Sequence, residues 1–129
     1  MIKKLIKKVF VVDDNELFSM ALEDYIKDKT RHEVSVFLTG EECVKHLEEG
    51  PDVVILDYNL NSVDKDAANG AQILEEIKKL DYSIHVIMLS GQDAYGAALQ
   101  TITKGAEEYI VKDKDSFEKI VRLIDGLGS

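Results

Sequence analysis

Tryptophan is absent from this 129-residue sequence, and cysteine and proline occur once each, as Cys43 and Pro51. A single cysteine excludes a disulfide framework within the chain and suits a reducing compartment. Cys43 falls in a predicted helix beside Val44 and Leu47, which makes it a small core or boundary residue rather than a nucleophile. No apolar run approaches the ~18 residues of a membrane span. The opening Met1 to Lys8 lacks the apolar segment of a signal peptide. The expectation is a soluble, cytoplasmic protein that does not enter membranes. Basic residues are in short supply, 16 against 25 acids for a net charge of −9. That balance argues against direct nucleic-acid binding, which needs a basic face to neutralise phosphates, and most of it serves as an acidic, solubilising surface. Three histidines, His32, His46 and His85, stand far apart without zinc-ligand spacing.

What is present is a well-patterned hydrophobic content of 45%. A chain of this length can bury roughly two-thirds of its unfolded surface without staples. No repeat, low-complexity segment or linker marks a boundary, so residues 1–129 are expected to form one domain. Four consecutive aliphatics, Val53 to Leu56, follow a Gly50-Pro51 turn signal and run into Asp57. They are too few for a buried helix and predict a central strand covered on both faces.

Buried-strand and amphipathic-helix patterns alternate five times. Strands are predicted at Lys8 to Val12, around Val34 to Leu38, to Asp57 or Tyr58, at Ile84 to Leu89 and at Glu108 to Val111. The first helix follows Asp13-Asp14-Asn15, with Asn15 as its cap and Phe18, Ala21, Leu22 and Tyr25 as its inner stripe. A second helix is expected from about Glu41 to Glu48, and a third carries Ile73, Leu74 and Ile77 after a long polar loop, Asn61 to Gly70. The fourth, about Asp93 to Thr103, is interrupted by Gly96 and has a mostly alanine face. Asp115 and Glu118 stand at capping-box spacing ahead of the fifth, whose inner face is Phe117, Ile120, Val121 and Ile124. Such alternation predicts an α/β fold, a doubly wound parallel sheet with helices on both sides.

A parallel sheet brings the strand ends to one edge, where open α/β folds bind ligands. Asp13, Asp14, Asp57, Ser90 and Lys112 all follow apolar runs and would meet there. Converging carboxylates repel, and a hard divalent cation such as Mg²⁺ relieves that while keeping positions open for phosphate oxygens. Lysine adds a point charge for phosphate, and serine a hydroxyl donor. The set describes phosphoryl transfer with a carboxylate nucleophile.

In these residues the sequence resembles the receiver domains of response regulators in two-component signalling. The resemblance covers essentially the whole chain and rests on Asp13-Asp14, Asp57 with Asn59 two residues on, Ser90 before a small residue, Tyr109 and Lys112. Each is weak alone; the ordered set is specific. It implies the flavodoxin-like (βα)5 fold with strand order 2-1-3-4-5, for which the chemotaxis receiver is a standard illustration. It implies that Asp57 accepts a phosphoryl group from a phosphohistidine on a histidine kinase or histidine phosphotransferase. Asp14, Asp57 and the Asn59 carbonyl would ligate Mg²⁺, with Asp13 nearby or acting through water, and Lys112 and Ser90 would hold phosphoryl oxygens. Ser90 and Tyr109 would form a switch that reshapes the helix-four, strand-five and helix-five face for a downstream partner or a phosphorylation-dependent dimer. A receiver of this kind is a self-catalysed acceptor that loses its own phosphoryl group, not a turnover enzyme.

Two features depart from the family pattern. The loop after Asn59 is several residues longer than is common and lacks the usual proline, which reads as a flexible surface insertion more than a partner contact. Asp113 follows Lys112 where many receivers have a cis proline, so a trans bond is expected. Two alternatives are weighed. A haloacid-dehalogenase-type phosphatase wants Asp-x-Asp, and here the acids are adjacent; a phosphorylation-independent pseudo-receiver would not react with small phosphodonors.

Overall fold

In a computed structural model describing residues 5–91 and 95–128, five parallel strands lie in the order 2-1-3-4-5. The strands are β1 (Lys8–Val12), β2 (Glu33–Phe37), β3 (Val53–Asp57), β4 (His85–Ser90) and β5 (Glu108–Val111). The helices are α1 (Glu16–Lys29), α2 (Gly40–Lys45), α3 (Gly70–Leu80), α4 (Tyr95–Thr103) and α5 (Ser116–Gly126). The expected flavodoxin-like topology is therefore the one observed.

Each strand contributes alternate side chains to two separate cores. Val9, Val11, Val53, Ile55, Ile87, Leu89 and Ile110 pack with Leu22 and Ile26 of α1 and Ile120 and Ile124 of α5. Phe10, Val12, Val54, Leu56, Val86 and Met88 pack with Cys43 of α2 and Ile73, Leu74 and Ile77 of α3. Cys43 is fully buried, and burial pushes its thiol pKa up to about 12, as befits an inert core residue. The central strand β3 is buried throughout, matching its unbroken aliphatic run.

Local chemistry sets several ends. Asn15 caps α1 by accepting from the Phe18 amide at 3.1 Å. The inner stripe of α1 differs from the expected one: Ala21 is exposed, while Ser19 is buried. The Ser19 hydroxyl donates to the carbonyls of Asp13 at 3.0 Å and Asn15 at 2.9 Å, and these bonds meet the requirement that a buried polar group be paired. Helix two ends earlier than expected, at Lys45, and continues after His46 as a short 3₁₀ turn at Leu47–Glu49. Gly50, at φ +74°, then turns the chain towards β3. Asp115 makes no side-chain cap to α5, so the expected capping box is absent. A turn leads into the helix instead, the Asp113 carbonyl accepting from the Ser116 amide at 3.2 Å and hydroxyl at 2.8 Å. Gly96 lies in the first turn of α4 without interrupting it. Gln92 and Asp93, the expected turn and helix start, lie outside the described residues.

Among the described residues no helix is long and apolar enough to cross a membrane. The bond after Lys112 is trans, as expected.

Candidate functional site

Strand register builds the site. Val12 is paired with Leu56, so Asp13 and Asp57, the next positions in line, stand side by side at the carboxyl edge. Asp57 is paired with Leu89 and Ser90 with Val111, which puts Ser90 one step past the acceptor. The Lys112 amide donates to the Ser90 carbonyl at 2.7 Å, carrying the ladder one residue beyond β5. All five strand-end residues singled out from the sequence thus reach one edge.

Asp13 and Asp57 are nearly sealed from solvent, at 1% and 3% exposure, and Ser90 is fully buried. Ligand oxygens of Asp13, Asp14 and Asp57 lie within 4.8 Å of one another. Such crowding of buried acids favours the neutral form. The Asp57 carboxyl is accordingly pushed up to about 6, by burial first and by the Asp13 charge second, with the Lys112 charge and the Asn59 amide opposing. That amide donates to Asp57 Oδ1 at 3.2 Å. Lys112 Nζ stands 2.8 Å from Asp13 Oδ2 and 3.6 Å from Asp57 Oδ1. It is therefore paired more closely with Asp13 than with the expected acceptor. Its alignment does not make a hydrogen bond, and Asp13 Oδ2 is a buried carboxylate oxygen that receives none.

That oxygen, whose only close partner is the Lys112 ammonium, lies with two further carboxylates in a set that fits a hard cation, which accepts anionic oxygen donors and needs no hydrogen-bond geometry. Asp13, Asp14 and Asp57 are the side chains that could hold it. The Asn59 carbonyl follows two residues past Asp57 in a turn where it accepts from the Ser62 amide at 3.3 Å.

Several contacts were not readable from the sequence. Lys112 Nζ lies over the Phe18 ring, 4.4 Å from its centroid, a cation–π contact worth on the order of 0.5–1 kcal/mol. Phe18 is in turn held edge-on by Phe117 of α5 at 5.4 Å. Gly70 brings the far end of the long loop against the acceptor strand: its amide donates to the Tyr58 carbonyl at 3.0 Å, and a Cβ there would overlap the Asp57 carbonyl. The loop itself is exposed from Ser62 to Asp66, as a surface insertion should be, yet it is bonded at both ends. Asp14 Oδ2 accepts from Ser62 and Val63, and Glu41 Oε2 accepts from the Ala68 amide at 2.9 Å. No local pattern signals contacts between residues this far apart in sequence.

Tyr109 is half-buried and packs with the α3-side core. Strand alternation puts Ser90 on that same face, in line with Val86 and Met88, whereas Asp13, Asp57 and Lys112 continue the α1/α5 side. The histidines form no cluster. His32 is buried, taking the Lys7 amide at 3.0 Å on Nδ1 and meeting Asp125 at 2.8 Å through Nε2, and His85 meets Glu107 at 2.8 Å.

The family model of the response regulator receiver domain matches residues 9–125. The chain belongs to that family. This receiver is 33% identical to the chemotaxis protein CheY of Listeria monocytogenes over 106 residues, 81% of this chain and 85% of the relative. It is also 33% identical to CheY of Thermotoga maritima over 108 residues, 82% and 85% of the two chains. Among solved structures, the BeF3-activated DrrB receiver domain superposes with a TM-score of 0.78 at 26% identity, covering 92% of this chain and 94% of that one. A CheY-like receiver from Methanospirillum hungatei gives 0.78 at 23% identity, covering 93% and 94%, and speaks to the fold alone. The receiver is thus a domain of two-component signalling, a class that works with histidine kinases or phosphotransferases and effector domains and is not generally a turnover enzyme. The haloacid-dehalogenase alternative has no support among these relatives.

Proposed function

We propose that residues 1–129 form one cytoplasmic receiver domain in which Asp57 accepts a phosphoryl group from a phosphohistidine of a histidine kinase or histidine phosphotransferase. The observation that carries this reading is the buried Asp57 carboxyl, crowded by the carboxylate oxygens of Asp13 and Asp14 within 4.8 Å and faced by the Lys112 ammonium at 3.6 Å. A bond forms between an Asp57 oxygen and phosphorus as the N–P bond breaks, and the imidazole leaves. Asp13, Asp14, Asp57 and the Asn59 carbonyl are the groups that would hold Mg²⁺, with Asp13 direct or through water. When bound, Mg²⁺ supplies the positive charge that keeps Asp57 ionised and neutralises the phosphoryl oxygens. Lys112, held between two carboxylates and the Phe18 face, offers its ammonium to one phosphoryl oxygen, and Ser90 offers its hydroxyl to another. The acyl phosphate is later hydrolysed at the same site, so the protein resets itself without turning over a separate substrate.

Output would pass through Ser90 and Tyr109. The phosphoryl group adds roughly −1.5 to −2 charges and strong acceptor oxygens at Asp57. Ser90 is the adjacent hydroxyl on the α3/α4 side of the sheet, the side on which Tyr109 packs, and its movement would let Tyr109 turn inward. Tyr109 also lines a surface groove of about 470 Å³ with Val111, Lys119, Arg122 and Leu123. That face is the proposed contact for a downstream protein or a second, phosphorylated copy. The net charge of −9 argues against direct binding to nucleic acid.

The test is intact-mass measurement after treatment with acetyl phosphate. One phosphoryl adduct is expected with Mg²⁺ and none in EDTA, and Asp57→Asn should abolish it. An adduct persisting in that variant would displace Asp57 as the acceptor, and no adduct on the wild type would favour a pseudo-receiver.

A further inference from the structure

Asp14 is the one acid of the site that is half-exposed, and it faces the long loop between β3 and α3. Its Oδ2 accepts three donors from that loop: the Ser62 hydroxyl at 2.6 Å, the Ser62 amide at 3.1 Å and the Val63 amide at 3.0 Å. The hydroxyl contact has the short distance of a charge-assisted O–H···O⁻ bond. The Ser62 amide is shared, for it also points to the Asn59 carbonyl at 3.3 Å. Ser62 therefore touches two of the groups that would surround the cation, one from the end of β1 and one from the turn after β3. Three donors saturate Oδ2, and among the described residues no donor reaches Oδ1.

We propose that Ser62 is a positioning residue for the divalent cation: it locks the Asp14 carboxylate, ties it to the Asn59 turn and leaves Oδ1 as the ligating atom. The proposal rests on the reading of this acidic edge as a Mg²⁺ site. Mg²⁺ demands near-ideal octahedral geometry and takes carboxylates sparingly, so a ligand whose second oxygen is already bonded loses little. Metal-bound carboxylates are typically held by outer partners of this kind, and removing one costs about 10–100-fold in affinity. Without the Ser62 clamp, Asp14 would have to be ordered when the ion binds, and affinity would fall by the cost of that ordering. The near end of the extended loop then belongs to the metal site.

Isothermal titration of the full chain with Mg²⁺ separates the possibilities. Ser62→Ala is expected to weaken binding about 10-fold, while Ser62→Thr, which keeps the hydroxyl, should stay close to wild type. Melting in EDTA reports whether each variant is folded, because a merely structural role for Ser62 would lower that temperature without a selective loss of affinity. Unchanged or tighter binding by Ser62→Ala would overturn the proposal, the tighter case meaning that the loop competes with the ion for Asp14. If the wild type itself bound no Mg²⁺, the metal-site reading beneath the proposal would fall, a result distinct from a wild type that binds and a Ser62→Ala variant that binds equally.

Discussion

Helices α3 and α4 flank the same side of the sheet and are held there in different ways. Helix α3 inserts Ile73, Leu74 and Ile77 fully into the core and opens with a complete capping box, in which Asn69 and Gln72 exchange bonds of 2.9 Å. Helix α4 fully buries a threonine, Thr101, whose hydroxyl turns back to the Ala98 carbonyl at 3.0 Å, and leaves Leu99 and Ile102 exposed at 56% and 42%. Burial of large aliphatics is what fixes a helix to a sheet. One helix is thus anchored behind the acceptor strand, and the other, by its described side chains, buries less and is the element that the proposed switch would shift. A switch needs such a weakly held element, because a local charge change is felt at a distance only where two arrangements lie close in energy.

The largest expected effect lies in α3. Leu74→Ala should cost about 2–5 kcal/mol in urea unfolding, the usual penalty for emptying a core site. A loss below 1 kcal/mol would break the contrast between the helices.

Next comes the acceptor itself. An unfolded aspartic acid has a pKa near 3.8, and folded Asp57 near 6. The folded state therefore holds this proton more tightly, and Asp57 costs stability as pH rises through the window from about 4 to 6. At pH 7, in EDTA, Asp57→Asn should be more stable than wild type by on the order of 3 kcal/mol, and the difference should shrink towards nothing near pH 4. Parallel pH curves for the two proteins would contradict the burial and crowding assigned to Asp57. Added Mg²⁺ should stabilise the wild type by binding the native state only, and Asp14→Ala should lose that response.

A smaller effect is expected at the cap of α3. Asn69→Ala should cost about 1 kcal/mol. Smallest of all, Leu99→Ala in α4 should stay within about 0.5 kcal/mol in urea unfolding. A larger loss there would mean that α4 is anchored after all.

The sequence made the sheet edge legible for a simple reason. A parallel sheet turns five separate strand ends into one place, so Asp13, Asp57, Ser90 and Lys112 needed only their position after apolar runs to be brought together. The strand limits at Lys8–Val12 and Glu108–Val111 were equally plain from hydrophobicity. What stayed hidden depends on contacts that no local pattern encodes. Ser19 is buried in place of Ala21 because two carbonyls accept its hydroxyl, and hydropathy does not register such bonds. The clamp of Ser62 on Asp14 and the Phe18 ring under Lys112 join distant parts of the chain. Asp115 had the spacing of a cap, but its side chain makes no cap bond, and the Asp113 carbonyl meets Ser116 instead.

The most direct measurement of the account is an amide NMR comparison with and without beryllofluoride, a phosphoryl mimic, and Mg²⁺, in wild type and Ser90→Ala. Beyond the site itself, the wild type should show its shifts concentrated in residues 95–111 and largely spare α3, and Ser90→Ala should lose the distant set while keeping those around Asp57. Shifts of equal size in α3 and α4, or a distant response undiminished in Ser90→Ala, would contradict the claim that Ser90 passes the acceptor's charge to the weakly held side of the fold.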